Sequence, residues 1–385
     1  MPKAAIYDPY LDTLGGGERY CLTVAEILLS RGWQVDLFWS GDPTLITQAT
    51  ARFSLKLNEL NIVPDIFGLK TTDIDTTESQ PITKFISHKS SRQSIITKYI
   101  TTNKYDFCFY LGDGSVPFLF SHKNIFHTQV PFTYQQNLKE KLLSKLKSLF
   151  INQIVYNSQF TASFTPNNLS SKTVVIYPPV DIDQLSPNLP KQNIILSVGR
   201  FDNILNSKKQ DILINVFSRF VRQNPNTNLK LILMGGSRQS PKLNHYLIHL
   251  KDLAQNLPIE FIINPDFDQL KQVYSISKIY WHAAGYGIDQ NQHPELCEHF
   301  GITPVEAMAS GLVPLLVNKG GLPEIITNGV NGYLWDEPDD LLAKTQLLIN
   351  TPAEYVKIQK NAIKSSKRFS KHIFETKILE IVNSK

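Results

Sequence analysis

Two carboxylates, Glu298 and Glu306, stand eight positions apart around Phe300-Gly301-Ile302-Thr303-Pro304. The spacing suits recognition of a sugar carried on a diphosphate. Thr303, Pro304 and Glu306 read as a capping box with proline at the first helical position, and Gly311 as the stop. A helix start presents unpaired backbone N–H groups and partial positive charge, a ready seat for phosphate oxygens. Taken alone, the capping box reads as a structural device, with Glu306 satisfying backbone amides. Glu298, on the approaching loop, has no such structural duty. Upstream, Arg200 follows an apolar strand and Gly199, and Lys208 is expected to start the next helix. Lysine is unfavourable to the dipole at a helix start, and a phosphate partner would rationalise it.

With Gly320-Gly321-Leu322-Pro323-Glu324 following, these residues resemble the family-4 retaining glycosyltransferases of GT-B fold. The resemblance is strong over about 191 to 340 and thinner before it. It implies that Glu298 faces the donor sugar and Glu306 binds the ribose. Phe300, Gly301, Ile302 and Thr303 would hold the diphosphate through their amides, while Arg200 and Lys208 meet its charge. Alignment to the family pattern makes Lys208 the preferred inward amine, and Lys209 departs from that pattern by standing where the family usually has glycine. Fixed cations and helix amides stabilise the charge that grows on a departing nucleoside diphosphate. No Asp-x-Asp pair or histidine cluster suggests a bound ion, and the resemblance implies metal independence. No cofactor is expected beyond the GDP- or UDP-linked sugar itself.

Other candidates are weaker. Gly15, Gly16 and Gly17 lack dinucleotide-fingerprint spacing, so a dehydrogenase is a poor reading. They serve either a tight turn or close backbone approach to a ligand. His127 ends an apolar strand; it is either structural or, by the resemblance, near the donor sugar's reacting face. His282 is a similar case. Gly235-Gly236 resembles the region that meets the base, and Glu324 is a further pocket candidate. Asn157-Ser158 reads as a helix cap.

These groups need scaffolds to hold them. The 385 residues suggest two or three domains, and 42% hydrophobic with 19% charged excludes disorder. A βαβ beginning is expected from a strand at 4–7, a helix at 18–30 and a strand at 33–39. Further strands are expected at 107–111, 124–127 and 153–157, and a polar loop at 70–81. Four prolines between Pro178 and Pro190 mark a connector. A second αβ series follows: strands at 193–198, 229–234, 260–263, 279–282, 313–317 and 332–335, and a helix at 208–224. The expected fold is α/β: two Rossmann-like doubly wound parallel-sheet domains facing a cleft. Residues 1–182, completed by a C-terminal helix at about 368–385, form the acceptor side, and 183–367 bind the donor.

The net charge of +5 fits anionic partners, without a motif for nucleic acid. Three scattered cysteines, no apolar leader and no apolar run of about 18 residues predict a reduced, cytoplasmic protein. Residues 137–150 read as a basic amphipathic helix. It either packs on its own sheet or docks peripherally on the cytoplasmic membrane face, as a lipid-linked acceptor would require.

The expected activity is retaining transfer of a mannose- or glucose-type hexose to a glycan or lipid-linked acceptor hydroxyl, as in polysaccharide biosynthesis. The start Gly-Gly-Gly-Glu-Arg and Glu-His-Phe-Gly-Ile tilt the donor to GDP-mannose by resemblance. The rivals are a GT-B nucleotide-sugar epimerase and a non-catalytic nucleotide-sugar- or glycan-binding subunit.

Overall fold

The computed structural model describes residues 1–68, 93–112, 117–131, 138–165, 172–185, 187, 189–202, 207–237 and 241–384, with backbone alone at 138–141 and 241–244. The expected polar loop at 70–81 lies outside them. Two compact units form: residues 1–179 with 372–385, and residues 180–371. The sequence boundaries at 182 and 368 thus sit three or four residues from the observed ones.

In the first unit the order is β1 (Lys3–Tyr7), α1 (Gly16–Ser30), β2 (Gln34–Phe38), α2 (Thr44–Phe53), β3 (Asn61–Val63), α3 (Ile95–Thr102) and β4 (Phe107–Leu111). Then come β5 (Lys123–Thr128), α4 (Leu138–Ser148), β6 (Gln153–Tyr156), α5 (Gln159–Ser163) and β7 (Thr173–Val175). The sheet is parallel throughout, in the order β3-β2-β1-β4-β5-β6-β7. Central β4, Phe-Cys-Phe-Tyr-Leu, is buried at all five positions, as a strand covered on both faces must be. A late helix, α12 (Lys371–Asn383), supplies Phe374, Ile378 and Ile381 to the core between α1 and this sheet. Ser158 caps α5 by accepting the Thr161 amide, as the sequence predicts.

The second unit runs β8 (Ile194–Val198), α6 (Gln210–Gln223), β9 (Lys230–Gly235), α7 (Pro241–Leu253), β10 (Ile259–Ile263), α8 (Phe267–Ile276) and β11 (Ile279–His282). It ends with α9 (Ile302–Ala309), β12 (Val313–Val317), β13 (Tyr333–Trp335), α10 (Pro338–Asn350) and α11 (Pro352–Ser366). This sheet is also parallel, in the order β10-β9-β8-β11-β12-β13. Both sheets reverse strand order beside their first strand. Ligands of doubly wound folds bind there, beyond the carboxyl ends of the strands. In the second unit that point lies between β8 and β11.

Two expectations change. The helix expected from Lys208 starts at Gln210, after Lys209 in the left-handed region (φ 53°). Among the described side chains of α4, Leu142, Leu143 and Leu146 are exposed, against the reading of a connecting helix packed on its sheet.

Candidate active site

Glu298 is the centre of the second unit's switch point. It sits in the loop after β11, and Lys208 reaches it from the loop after β8. The Lys208 Nζ donates to Glu298 Oε2 at 2.5 Å, with both side chains largely buried. His282, the last residue of β11 and fully buried, donates its Nε2–H to the same oxygen at 2.9 Å. Burial pushes the Glu298 carboxyl up, but the Lys208 ammonium and the His282 N–H outweigh it and hold the group well below the usual carboxylate range. Burial lowers the His282 pKa, against the pull of Glu298. Its Nδ1 is buried without a hydrogen-bond partner among the described residues, which suits a neutral ring protonated on Nε2. The result is an ionised carboxylate held by one cation and one neutral donor.

Glycines make this approach possible. A Cβ on Gly199 would stand 2.5 Å from Lys208 Cγ, so the Lys208 stem passes over bare backbone. On the other side, the Gly321 amide donates to the Glu298 carbonyl at 2.8 Å. Gly320 (φ 61°) lies so close that a Cβ would meet that carbonyl oxygen at 2.2 Å. The turn at 320–321 is therefore the bed on which the backbone of Glu298 rests.

The helix start differs from the sequence reading. Gly301, at φ 108°, is the N-cap of α9, and the capping box of Thr303 and Glu306 does not form. Ile302 and Thr303 are instead the first two helical residues. Their amides belong to the set with no intrahelical partner, the donors an anion would use. The Thr303 hydroxyl bonds the Tyr280 hydroxyl at 2.8 Å. Glu306, mostly buried, accepts from the Tyr274 hydroxyl at 3.2 Å. It is thus not a cap. The stop forms as expected: Gly311 is left-handed (φ 78°), with its amide on Met308 and the Leu312 amide on Ala307.

Other candidates fall differently. The Arg200 guanidinium is partly exposed and 3.6 Å from Asp202, while its carbonyl takes the Gln210 amide. Phe300 is buried edge-on against Phe369, 5.3 Å between centroids, so its ring is core and only its backbone can touch a ligand. Gly235 fits against the turn after β8, where a Cβ would overlap the Gly199 carbonyl; its absent side chain serves that packing. Cys297 is buried as a free thiol, its pKa pushed up to about 11 by burial. Among the described residues no group of three or more metal-ligating side chains is assembled.

In the first unit, His127 is a core residue rather than one aimed at a ligand. It is fully buried, stacks on Tyr20 at 4.0 Å, and bonds the Val155 carbonyl at 2.9 Å through Nδ1 and the Gln129 amide at 2.8 Å through Nε2. Burial lowers its pKa to about 3, so it is neutral. Gly16 and Gly17 open α1; a Cβ on Gly17 would press on Gln129 Oε1 at 2.8 Å. Glu18 folds back to accept the Gly15 amide and, at 2.7 Å, the Thr13 hydroxyl. Beside it Asp8 is fully buried, its carboxyl pushed well up by burial and by Glu18. The sequence reading passed over Asp8, Glu18, Gln129, Tyr274 and Tyr280. Tyr274 and Tyr280 stand on or just before the strand that ends at His282, the one signal that could have flagged them.

Residues 181–365 match the family model described as Glycosyl transferases group 1. The chain is similar to the GDP-Man:Man(3)GlcNAc(2)-PP-Dol alpha-1,2-mannosyltransferase of Xenopus laevis, 26% identical over a 437-residue alignment that covers 97% of this chain and 86% of that one. Among solved structures, a glycosyltransferase from Rickettsia africae superposes with a TM-score of 0.72 at 19% identity, covering 100% of this chain and 99% of that one. Anabaena HepE in complex with UDP-glucose gives 0.69 at 18%, covering 100% of both. At these identities the structures speak to the fold.

Proposed function

We propose that this chain, a glycosyltransferase of GT-B fold whose residues 181–365 belong to the Glycosyl transferases group 1 family, moves mannose with retention from GDP-mannose to a hydroxyl of a lipid-linked glycan. The observation that carries this reading is the meeting of Lys208, Glu298 and His282 beside the amino end of α9, at the carboxyl ends of β8 and β11. A sugar diphosphate needs cations and amide donors for its phosphates and a fixed acceptor for its sugar hydroxyls. The site offers both within one unit.

In this reading the amides that open α9 bind the diphosphate, and Lys208, with three donor positions and one on Glu298, turns another to a phosphate oxygen. As the sugar–phosphate bond breaks, negative charge moves onto the leaving oxygen and these fixed donors stabilise it without reorganising. Glu298 accepts from a sugar hydroxyl and orients the ring. Glu306, steadied by Tyr274, grips the ribose. The acceptor hydroxyl attacks on the face the phosphate leaves, and that phosphate takes the proton, so neither a covalent intermediate nor a metal ion is required.

Mannose and GDP are favoured by the Xenopus relative, whose similarity runs through nearly the whole chain. UDP-linked hexoses are the second choice. A thermal-shift panel of GDP- and UDP-sugars, followed by NMR of the product's anomeric proton, tests the proposal. A shift with GDP-mannose and an α-linked product are expected. An inverted product, epimerised donor without acceptor, or no turnover with any donor would overturn it.

A further inference from the structure

We propose that α3 and α4 form one surface that seats the first unit on an anionic lipid bilayer. Helix α3 exposes Ile95, Ile96, Tyr99 and Ile100, with Ile96 71% and Ile100 64% exposed. Helix α4 and the turn after it expose Leu142, Leu143, Leu146, Leu149 and Phe150. On α3 the apolar doublets 95–96 and 99–100 stand four residues apart, and on α4 Leu142, Leu143 and Leu146 have the three- and four-residue spacing that puts side chains on one face. On α3 the opposite face is committed inward: Lys98 and Thr102 are buried, with the Lys98 Nζ on the Phe67 carbonyl.

The two faces are one patch because aromatic rings bridge them. Tyr99 meets Phe120 edge-on at 5.4 Å, and Phe120 meets Phe150 at 5.3 Å. Phe118 packs against both Phe120 and Phe150. Soluble proteins rarely leave so large a contiguous apolar patch to water unless something covers it.

Charge decides what covers it. Lys145 is exposed within the patch, the Lys147 amine lies 5.5 Å from the Phe118 ring centre, and Lys104 follows α3. Residues 93–105 contain no acidic residue, and in 138–150 Glu140 is outnumbered by Lys139, Lys141, Lys145 and Lys147. A patch of Ile, Leu and Phe edged by lysine, with aromatic rings among them, matches the acyl boundary and phosphate layer of an anionic leaflet. A second copy of the chain would bring the same lysines against themselves.

The test is sedimentation of the full chain with vesicles of phosphatidylcholine, with and without phosphatidylglycerol, at low and high salt. No donor is present, so the result is independent of the sugar-transfer reading. Binding is expected only with phosphatidylglycerol and should weaken with salt. Ile96→Asp/Ile100→Asp on α3 and Leu146→Asp/Leu149→Asp on α4 should each reduce bound protein at least tenfold, with unchanged circular dichroism and unchanged turnover of a water-soluble acceptor. Lys145→Gln/Lys147→Gln should weaken binding to the anionic vesicles. Full binding by the α3 variant would overturn the joint surface. Absence of wild-type binding, or a dimer that the same variants convert to monomer by light scattering, would overturn the bilayer as occupant.

Discussion

Lys208 and Glu298, 90 residues apart in sequence, meet at 2.5 Å, and the same carboxylate oxygen takes the N–H of His282. The pair joins the loops after β8 and β11, so one ion pair both ties together the switch point of the second unit and presents its chemistry.

Breaking the pair from one side leaves a buried charge uncompensated. Lys208→Met should cost about 3 kcal/mol of stability. Lys208→Met/Glu298→Gln should recover most of it, because neither charge remains. Transfer should be lost in both. Urea denaturation with a donor-turnover assay checks this; stability losses that simply add would show that the two side chains act separately.

His282 touches Glu298 rather than a substrate, and its effect should appear as positioning. His282→Phe removes a hydrogen bond to a charged group, a loss of about 1.5–3 kcal/mol, or roughly tenfold to a hundredfold in kcat. The donor KM should move little. His282→Gln, which can still donate an N–H toward Glu298, should restore most of the rate. Equal damage from both substitutions would point to packing instead.

Acid should weaken the second unit before the first. His282 and His299 are held neutral by burial, His299 near a pKa of about 4 against 6.5 unperturbed. Groups with a lowered folded pKa contribute stability that is complete above the unfolded value and is lost as pH falls toward the folded one. Each histidine contributes up to about 1.4 kcal/mol per pH unit in that window. Glu298, also lowered, adds its loss below about 4.5. In the first unit Asp8 and Glu18 have raised values and oppose His127. Hydrogen exchange at pH 7.5 and 5.5, corrected for intrinsic rates, should show β11 and β12 losing protection relative to β1 and β4. Parallel loss in both sheets would contradict this balance.

The bed under Glu298 should be intolerant of a single methyl group. Gly320→Ala places a Cβ against the Glu298 carbonyl and forces a left-handed alanine, together about 2–4 kcal/mol. Activity should fall with it. Gly287→Ala is the control: its φ is also positive, at 75°, but among the described residues nothing lies within 4 Å of the added Cβ, and only about 1 kcal/mol is expected. Matching losses at the two positions would mean that the backbone angle, not the contact, decides.

The alternation of apolar runs and turns was enough to read the strands. Expected 107–111, 279–282 and 313–317 coincide with β4, β11 and β12, because parallel strands buried on both faces leave a continuous apolar signature. Helix starts were harder, since the left-handed Gly301 replaced the side-chain cap read at Thr303 and the left-handed Lys209 moved the start of α6 two residues beyond Lys208. Thr303 and Glu306 have capping-box spacing, yet Gly301 takes the N-cap and each side chain finds a tyrosine. Glu298 and Lys208 could be named from their motifs. Their direct pairing, and the third contact from His282, depends on the order of β8 and β11 in the sheet, which local sequence does not encode. Nor could periodicity say which way the apolar face of α4 points: the same leucine spacing serves a buried helix and an exposed one.

The late helix α12 imposes a timetable on synthesis. Residues 180–371 are continuous, and the last strand of their sheet, β13, ends at Trp335, so that sheet can close before α12 leaves the ribosome. The first unit cannot finish, because Phe374, Ile378 and Ile381 belong to its core and emerge only after the whole second unit. The half made first is completed second, and until then its sheet waits with a strip of apolar surface uncovered, a natural client for a chaperone.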